Sequence, residues 1–142
     1  PIGYLNKEQI ASNSCLLIPT DDLSIFAMLN SSIHMTWIKH VCGRLEDRYR
    51  YSIEIVYNNF PFKKLNEDQK KELISYANEI LNTRKKLNLS LVKLYNPVLM
   101  PIELKKIHQQ LDSYMKEIYS IDKNSDDSMI MKKLFSLIKK NP

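Results

Sequence analysis

GRLEDRYRYSIEIVYNNFPF, residues 43–62, sets three arginines, two glutamates and an aspartate among three tyrosines and two phenylalanines. A solvated loop has no use for so many aromatic rings, and a buried strand cannot hold three arginines. An extended backbone over residues 46–57 reconciles the two, because side chains along a strand alternate between faces. Tyr49, Tyr51, Ile53, Ile55 and Tyr57 then form an apolar face able to pack on a helix carrying Trp37. Glu46, Arg48, Arg50, Ser52 and Glu54 form the opposite, polar face. Residues two apart on a strand are ~6.6–6.8 Å apart, about twice the ~3.4 Å rise of a base pair. Arginine donates to guanine O6 and N7, and glutamate accepts from the cytosine amino group, so Glu46 and Arg48 suit the two halves of one C·G pair. The same residues, with Asp47, also suit a surface ion-pair cluster of little energetic weight. The stretch alone leaves both open.

Helical patterns flank it. Upstream, Leu23, Phe26, Leu29, Ile33, Trp37 and Val41 recur at three or four residues, which places them on one helix stripe from Asp21 onward. Asn30-Ser31-Ser32 is expected to split this helix, with a serine capping the second half, and Gly43 to end it as a C-terminal stop. Tyr4-Leu5 and Cys15–Pro19 read as short strands, with Ser12-Asn13-Ser14 as a turn. Downstream, Pro61 closes the stretch, and Phe60 and Phe62 anchor it to the helical part of the chain. Asn66 with Gln69 is a capping box, after which Leu73, Ala77, Ile80, Leu81 and Arg84 come at helical spacing. A short helix is expected over Leu91–Tyr95. A longer one starts at Pro101, with a stripe of Leu104, Ile107, Leu111, Tyr114 and Ile118. A polar connector over Asp122–Asp127 leads to a last helix marked by Ile130, Leu134, Leu137 and Ile138. The expected fold is α+β, mainly α: short strands and a helix in residues 1–62, then a small helical bundle in 63–142.

The 142 residues suit one domain or two small lobes. Hydrophobic content of 44% with 26% charged residues is that of a folded chain. Residues 1–62 carry five basic against six acidic residues (−1), and residues 63–142 carry sixteen against ten (+6). That balance suits a polyanion partner, and equally a solvated set of helix faces. No apolar run approaches the ~20 residues of a membrane span. Cys15 and Cys42 form no disulfide framework and read as reduced thiols. A first residue of proline rather than methionine suggests a piece of a longer chain.

Two glycines, Gly3 and Gly43, are too few for a phosphate-cradling or methyl-donor loop, which needs several in close succession. His34 and His40 lie about 240° apart around a helix and do not converge on a metal; His34 reads as a core or interface histidine, and His108 stands alone. Asn58-Asn59-Phe60-Pro61-Phe62 lacks the adjacent prolines of an adenine-gripping catalytic loop. Glu103-Leu104-Lys105 has a nuclease-like spacing without a suitable preceding aspartate. No catalytic site, metal site or cofactor site is expected in this chain.

Several stretches together carry a family resemblance: PIGYL (1–5), SNSCLLIP (12–19), LNSSIHMTWIKHVCGRLEDRYRYS (29–52) and IVYNNFPF (55–62). They resemble the end of the target-recognition domain in large single-chain DNA methyltransferases of the MmeI-like kind, the Type IIG/IIL restriction–modification enzymes. Residues 65–87 and 90–119 are similar to that family's C-terminal helical domain. The match spans nearly the whole chain and weakens over the last twenty or so residues. Lys63 stands where the family often has proline, a departure in the linker.

The resemblance implies a parent enzyme with a nuclease at its N-terminus in many members, a helical spacer, and a domain that uses S-adenosylmethionine to methylate adenine at N6. The present portion comes after these, helps select double-stranded DNA sequence, and contacts the methyltransferase domain of the same polypeptide in a bacterial cytoplasm. It further implies that Glu46 and Arg48 act as a pair on one base pair, and that Arg50 works with Asn13 or Ser14 on another. Arg44, Lys63, Lys64, Arg84, Lys85 and Lys86 are candidate phosphate contacts. The alternative is an assembly module, packing on the methyltransferase domain or a partner subunit with its charged face left in water.

Overall fold

A computed structural model describes residues 2–46 and 48–139, with Leu45 described by its backbone alone. Asp47, part of the expected ion-pair cluster, lies outside the described residues.

The elements run α1 (Leu23–Leu29), α2 (Ser32–Val41), β1 (Gly43–Leu45), β2 (Arg48–Arg50), a π-helical turn (Ile53–Tyr57), α3 (Glu67–Leu87), α4 (Leu91–Leu94), α5 (Ile102–Ile118) and α6 (Asp127–Ile138). The architecture is therefore mainly helical, with one two-stranded antiparallel sheet among the described residues.

Local chemistry explains most boundaries. Asp22 caps α1, accepting from Ser24 N at 2.9 Å. The helix breaks at Asn30, and Ser31 caps α2, which is the split expected from Asn30-Ser31-Ser32. The capping box at the start of α3 is formed in both directions: Gln69 N donates to Asn66 Oδ1 at 2.8 Å and Asn66 N donates to Gln69 Oε1 at 3.1 Å. Asn88 ends α3 in the left-handed region, φ 49°, where an asparagine is tolerated. Asp126 caps α6.

Helix α1 packs against α3, α3 against α5, and α2 against α5, α6 and the π-helical turn. One apolar cluster fills the space between them, including Phe26, Ile33, Trp37, Phe60, Leu73, Ile80, Leu104, Leu111, Tyr119 and Leu134. This core runs without interruption across residues 62–63. Phe60 is its link: its ring lies 4.9 Å from that of His34, 4.9 Å from Phe62 and 6.3 Å from Tyr119. Tyr119 Oη donates to Pro61 O at 3.0 Å, fastening α5 to the same point.

Three expectations from the sequence fail. Tyr4-Leu5 and Cys15–Pro19 are not strands; Leu16 and Leu17 are exposed. A strand requires a neighbour to take its backbone bonds, and among the described residues no backbone hydrogen bond joins either segment to a partner strand. Gly43 is not a helix stop. Cys42 ends α2 in extended conformation, and Gly43 opens β1 with no positive φ. The extended reading of 46–57 holds for Arg48–Arg50 but not beyond Ser52. Asn58 N donates to Ile53 O at 2.8 Å, closing a π-turn, and Ser52 Oγ accepts from Ile55 N. That coil departs from the expected alternation: Val56 is buried, and Ile55, expected on the apolar face, is exposed. Trp37 Nε1 donates to Val56 O at 2.9 Å, so the buried indole selects the coiled form by satisfying its N–H there.

Candidate nucleic-acid interface

Strands β1 and β2 form a short hairpin that leaves α2 through Cys42. The register pairs Gly43 with Arg50, Arg44 with Tyr49 and Leu45 with Arg48. Directly opposed residues share a face, so Arg48 and Arg50 lie on one side and Arg44 and Tyr49 on the other. The Arg44 guanidinium sits 5.2 Å from the centre of the Tyr49 ring, a cation–π pair on the second face.

Glu46 is in the connection between the strands with φ 55°, a left-handed backbone that glutamate seldom adopts. Its Oε2 lies 4.0 Å from Arg48 Nη2, with side chains 79% and 89% exposed. At that distance and exposure the pair is weakly bound and readily exchanges for other partners. Arg50 is exposed as well. The polar row anticipated from alternation therefore exists for Arg48 and Arg50, with Glu46 at the tip beside them. Ser52 is half-buried and Glu54 belongs to the π-helical turn.

Asn13 and Ser14 occupy an exposed turn, closed by Cys15 N donating to Ser12 O at 3.0 Å. Ser14 Oγ is 2.6 Å from Ser12 Oγ. Leu16, two residues along, lines a shallow groove of about 610 Å³ together with Gly43, Arg50, Tyr51 and Ser52. The segment carrying Asn13 and Ser14 thus runs to the same groove as Arg50. Leu16, expected in a strand from its apolar run, lines this groove instead.

The basic candidates divide. Lys64 and Lys85 are exposed and Lys63 half-buried. Lys86 Nζ pairs with Glu103 at 3.0 Å. Arg84 is not a phosphate contact. It is 8% exposed, its Nε donates to Tyr95 Oη at 2.9 Å, Nη1 to Ile2 O at 2.9 Å and Nη2 to Asn30 Oδ1 at 3.1 Å. Its guanidinium also lies over the Tyr95 ring at 4.9 Å. A fork with four of its five donors engaged inside the protein and its side chain buried is out of reach of DNA.

Two histidines, His34 buried and His108 half-buried, are held neutral by their surroundings. Burial lowers His34 to a pKa of about 4. Burial, aided by the nearby Arg84 guanidinium, lowers His108 to about 4 as well. His34 is the core histidine its sequence context suggested. His108 has a partner after all, the Tyr95 hydroxyl, 2.6 Å from its Nε2. No group of three metal-ligating side chains assembles among the described residues.

A helical base here presents a short two-stranded ribbon with exposed arginines, an element of a kind that the major groove admits. Residues 1–64 match the family described as "MmeI, target recognition domain", and residues 65–141 that described as "MmeI, C-terminal domain". The chain belongs to the MmeI family. DNA methyltransferase A of Bacillus subtilis (strain 168) is 40% identical over 119 residues, which is 84% of this chain and 14% of that protein. The Type IIL restriction-modification enzyme MmeI, solved in complex with DNA, is similar with a TM-score of 0.81 and 40% identity, covering 87% of this chain and 17% of that one. The chain thus spans a small fraction of the length of these relatives.

Proposed function

We propose that this chain is a sequence-reading part of a DNA adenine-N6 methyltransferase of a restriction–modification system. The Glu46–Arg50 hairpin enters the major groove. Glu46 and Arg48 read one base pair, preferably C·G, and Arg50 with Asn13 or Ser14 reads a neighbour. Arg44, Lys63, Lys64, Lys85 and Lys86 contact phosphates and add salt dependence. Residues 1–62 form the end of the recognition domain and residues 63–142 the helical domain that supports it. S-adenosylmethionine binds in another domain of the same polypeptide, since two isolated glycines offer this chain no loop to cradle it. The single observation that carries the reading is the placement of Arg48 and Arg50 on one exposed face, with Glu46 beside them at the tip.

The test is a charge exchange in the full-length polypeptide. Glu46→Lys combined with Arg48→Asp is expected to change the base pair accepted at one position of the target. An unchanged recognition sequence defeats the assignment.

A second reading rests on a different observation. Val92, Val98, Leu99 and Ile102 are large apolar residues with 73–88% of their surface exposed. Such side chains suit a docking face for the methyltransferase domain, which makes the helical part an assembly module. Arg48→Ala separates the two readings. Base contact predicts a loss of ~1–3 kcal/mol of discrimination at one position. A purely assembling role predicts the same recognition sequence.

A further inference from the structure

The hairpin has two feet, and both stand on α2. One is covalent: α2 passes into β1 through Cys42. The other is a hydrogen bond. Tyr51, the residue after Arg50, places its hydroxyl 3.2 Å from His34 Nε2, and His34 is fully buried in the first turn of α2.

The direction of this bond is set by its neighbour. His34 Nδ1 lies 2.9 Å from Leu29 O. A carbonyl only accepts, so Nδ1 carries the proton, and in a neutral ring Nε2 must then accept. Tyr51 Oη is therefore the donor. Burial keeps both groups in these states: His34 is lowered to about 4 and Tyr51 raised to about 12. The imidazole is also held in place by the Phe60 ring at 4.9 Å and by the Tyr51 ring at 5.8 Å, both edge-to-face.

We propose that His34 and Tyr51 are positioning residues for DNA sequence readout: their hydrogen bond fixes the β2 foot of the hairpin to α2 and so sets where Arg48 and Arg50 meet the bases. Neither touches DNA. Successive strand residues face opposite ways, so holding the Tyr51 side chain in the protein holds Arg50 away from it. This rests on the base-reading function proposed above, and deepens it by naming what aims the arginines.

The experiment uses the full-length polypeptide and measures methyl transfer on its target duplex and on each duplex with one changed base pair. Arg48→Ala and Arg50→Ala first identify the positions read by the hairpin. Tyr51→Phe deletes the donor and keeps the ring. His34→Asn keeps an amide donor for Leu29 O and abandons Tyr51. The expected result is a loss of discrimination of about 3- to 10-fold, confined to the positions that Arg48→Ala and Arg50→Ala identify, in whichever of Tyr51→Phe and His34→Asn melts like the parent. A uniform loss on every duplex, or a lower melting temperature with an unchanged specificity profile, overturns the positioning role and leaves the base-reading function standing. Arginine variants that keep the parent profile overturn the base-reading function and the positioning role together.

Discussion

Arg84 Nε donates to the Tyr95 hydroxyl at 2.9 Å, and that hydroxyl lies 2.6 Å from His108 Nε2. A side chain that the sequence offers as a candidate phosphate contact is the buried centre of a network joining α3, α5 and the N-terminal segment. Arg84→Lys distinguishes this role from phosphate binding. Lysine keeps the charge but cannot supply the planar fork. The expected outcome is a loss of ~1–3 kcal/mol in a urea melt, with no change in the salt dependence of DNA binding. Were Arg84 bound to a phosphate and the lysine unable to reach it, that log–log slope would shrink by about 0.9.

Gly43 pairs with Arg50, has an ordinary backbone, and a Cβ built there meets no atom within 4 Å. Nothing in the fold requires glycine at this position. Gly43→Ala is therefore expected to leave stability unchanged or raise it by ~0.5–1 kcal/mol, since it restricts the unfolded chain. If DNA passes over this bare face beside Arg50, the same variant binds its target more weakly. A thermal melt and a binding titration on one preparation check both halves.

Glu46 carries φ 55°. A β-branched residue there meets the full left-handed penalty of about 1–2 kcal/mol, whereas glycine escapes it. Glu46→Val is expected to melt below the parent, and Glu46→Gly at or above it. Both remove the exposed pairing with Arg48, so the difference between them reports the backbone. The same constraint limits which residues can replace Glu46 when specificity is altered.

The two desolvated histidines make stability depend on pH. His34 has a folded pKa of about 4 against an unfolded value of 6.5. Between these values the unfolded chain binds a proton that the folded chain does not, so stability falls as pH drops from 6.5 toward 4. The contribution is on the order of 3 kcal/mol, and His108 acts in the same direction. Asp112, raised by burial, works in the opposite sense at the acid end of this range. Urea melts across this range are expected to show the slope, and His34→Gln to flatten it. A parent protein equally stable at pH 4.5 and pH 7 contradicts the buried neutral state.

Helix positions were legible because their signals are local. The Asn66–Gln69 box, the Asn30–Ser32 break and the stripe Leu104–Leu111–Ile118 each lie within a few turns of chain, and each matches the structure. The hairpin was half legible. Alternation placed Arg48 and Arg50 together, but the coil at Ile53–Tyr57 depends on Trp37, sixteen or more residues away, finding an acceptor at Val56. Strand readings at Tyr4-Leu5 and Cys15–Pro19 failed because composition carries no information about whether a neighbouring strand exists.

Taken by itself, the amino-acid order determined the helices, their caps, the mainly helical class and the pairing of Arg48 and Arg50 on one face. It did so because propensity, capping and periodicity act between near neighbours in the chain. Tertiary structure alone decided that Arg84 gives its donors to the protein interior, that Gly43 pairs with Arg50, and that His34 meets Tyr51. Whether a polar side chain stays in water depends on what distant segments bring to it. For Arg84 they bring Ile2, Asn30 and Tyr95, whereas Arg48 meets Glu46 at the tip of its own hairpin.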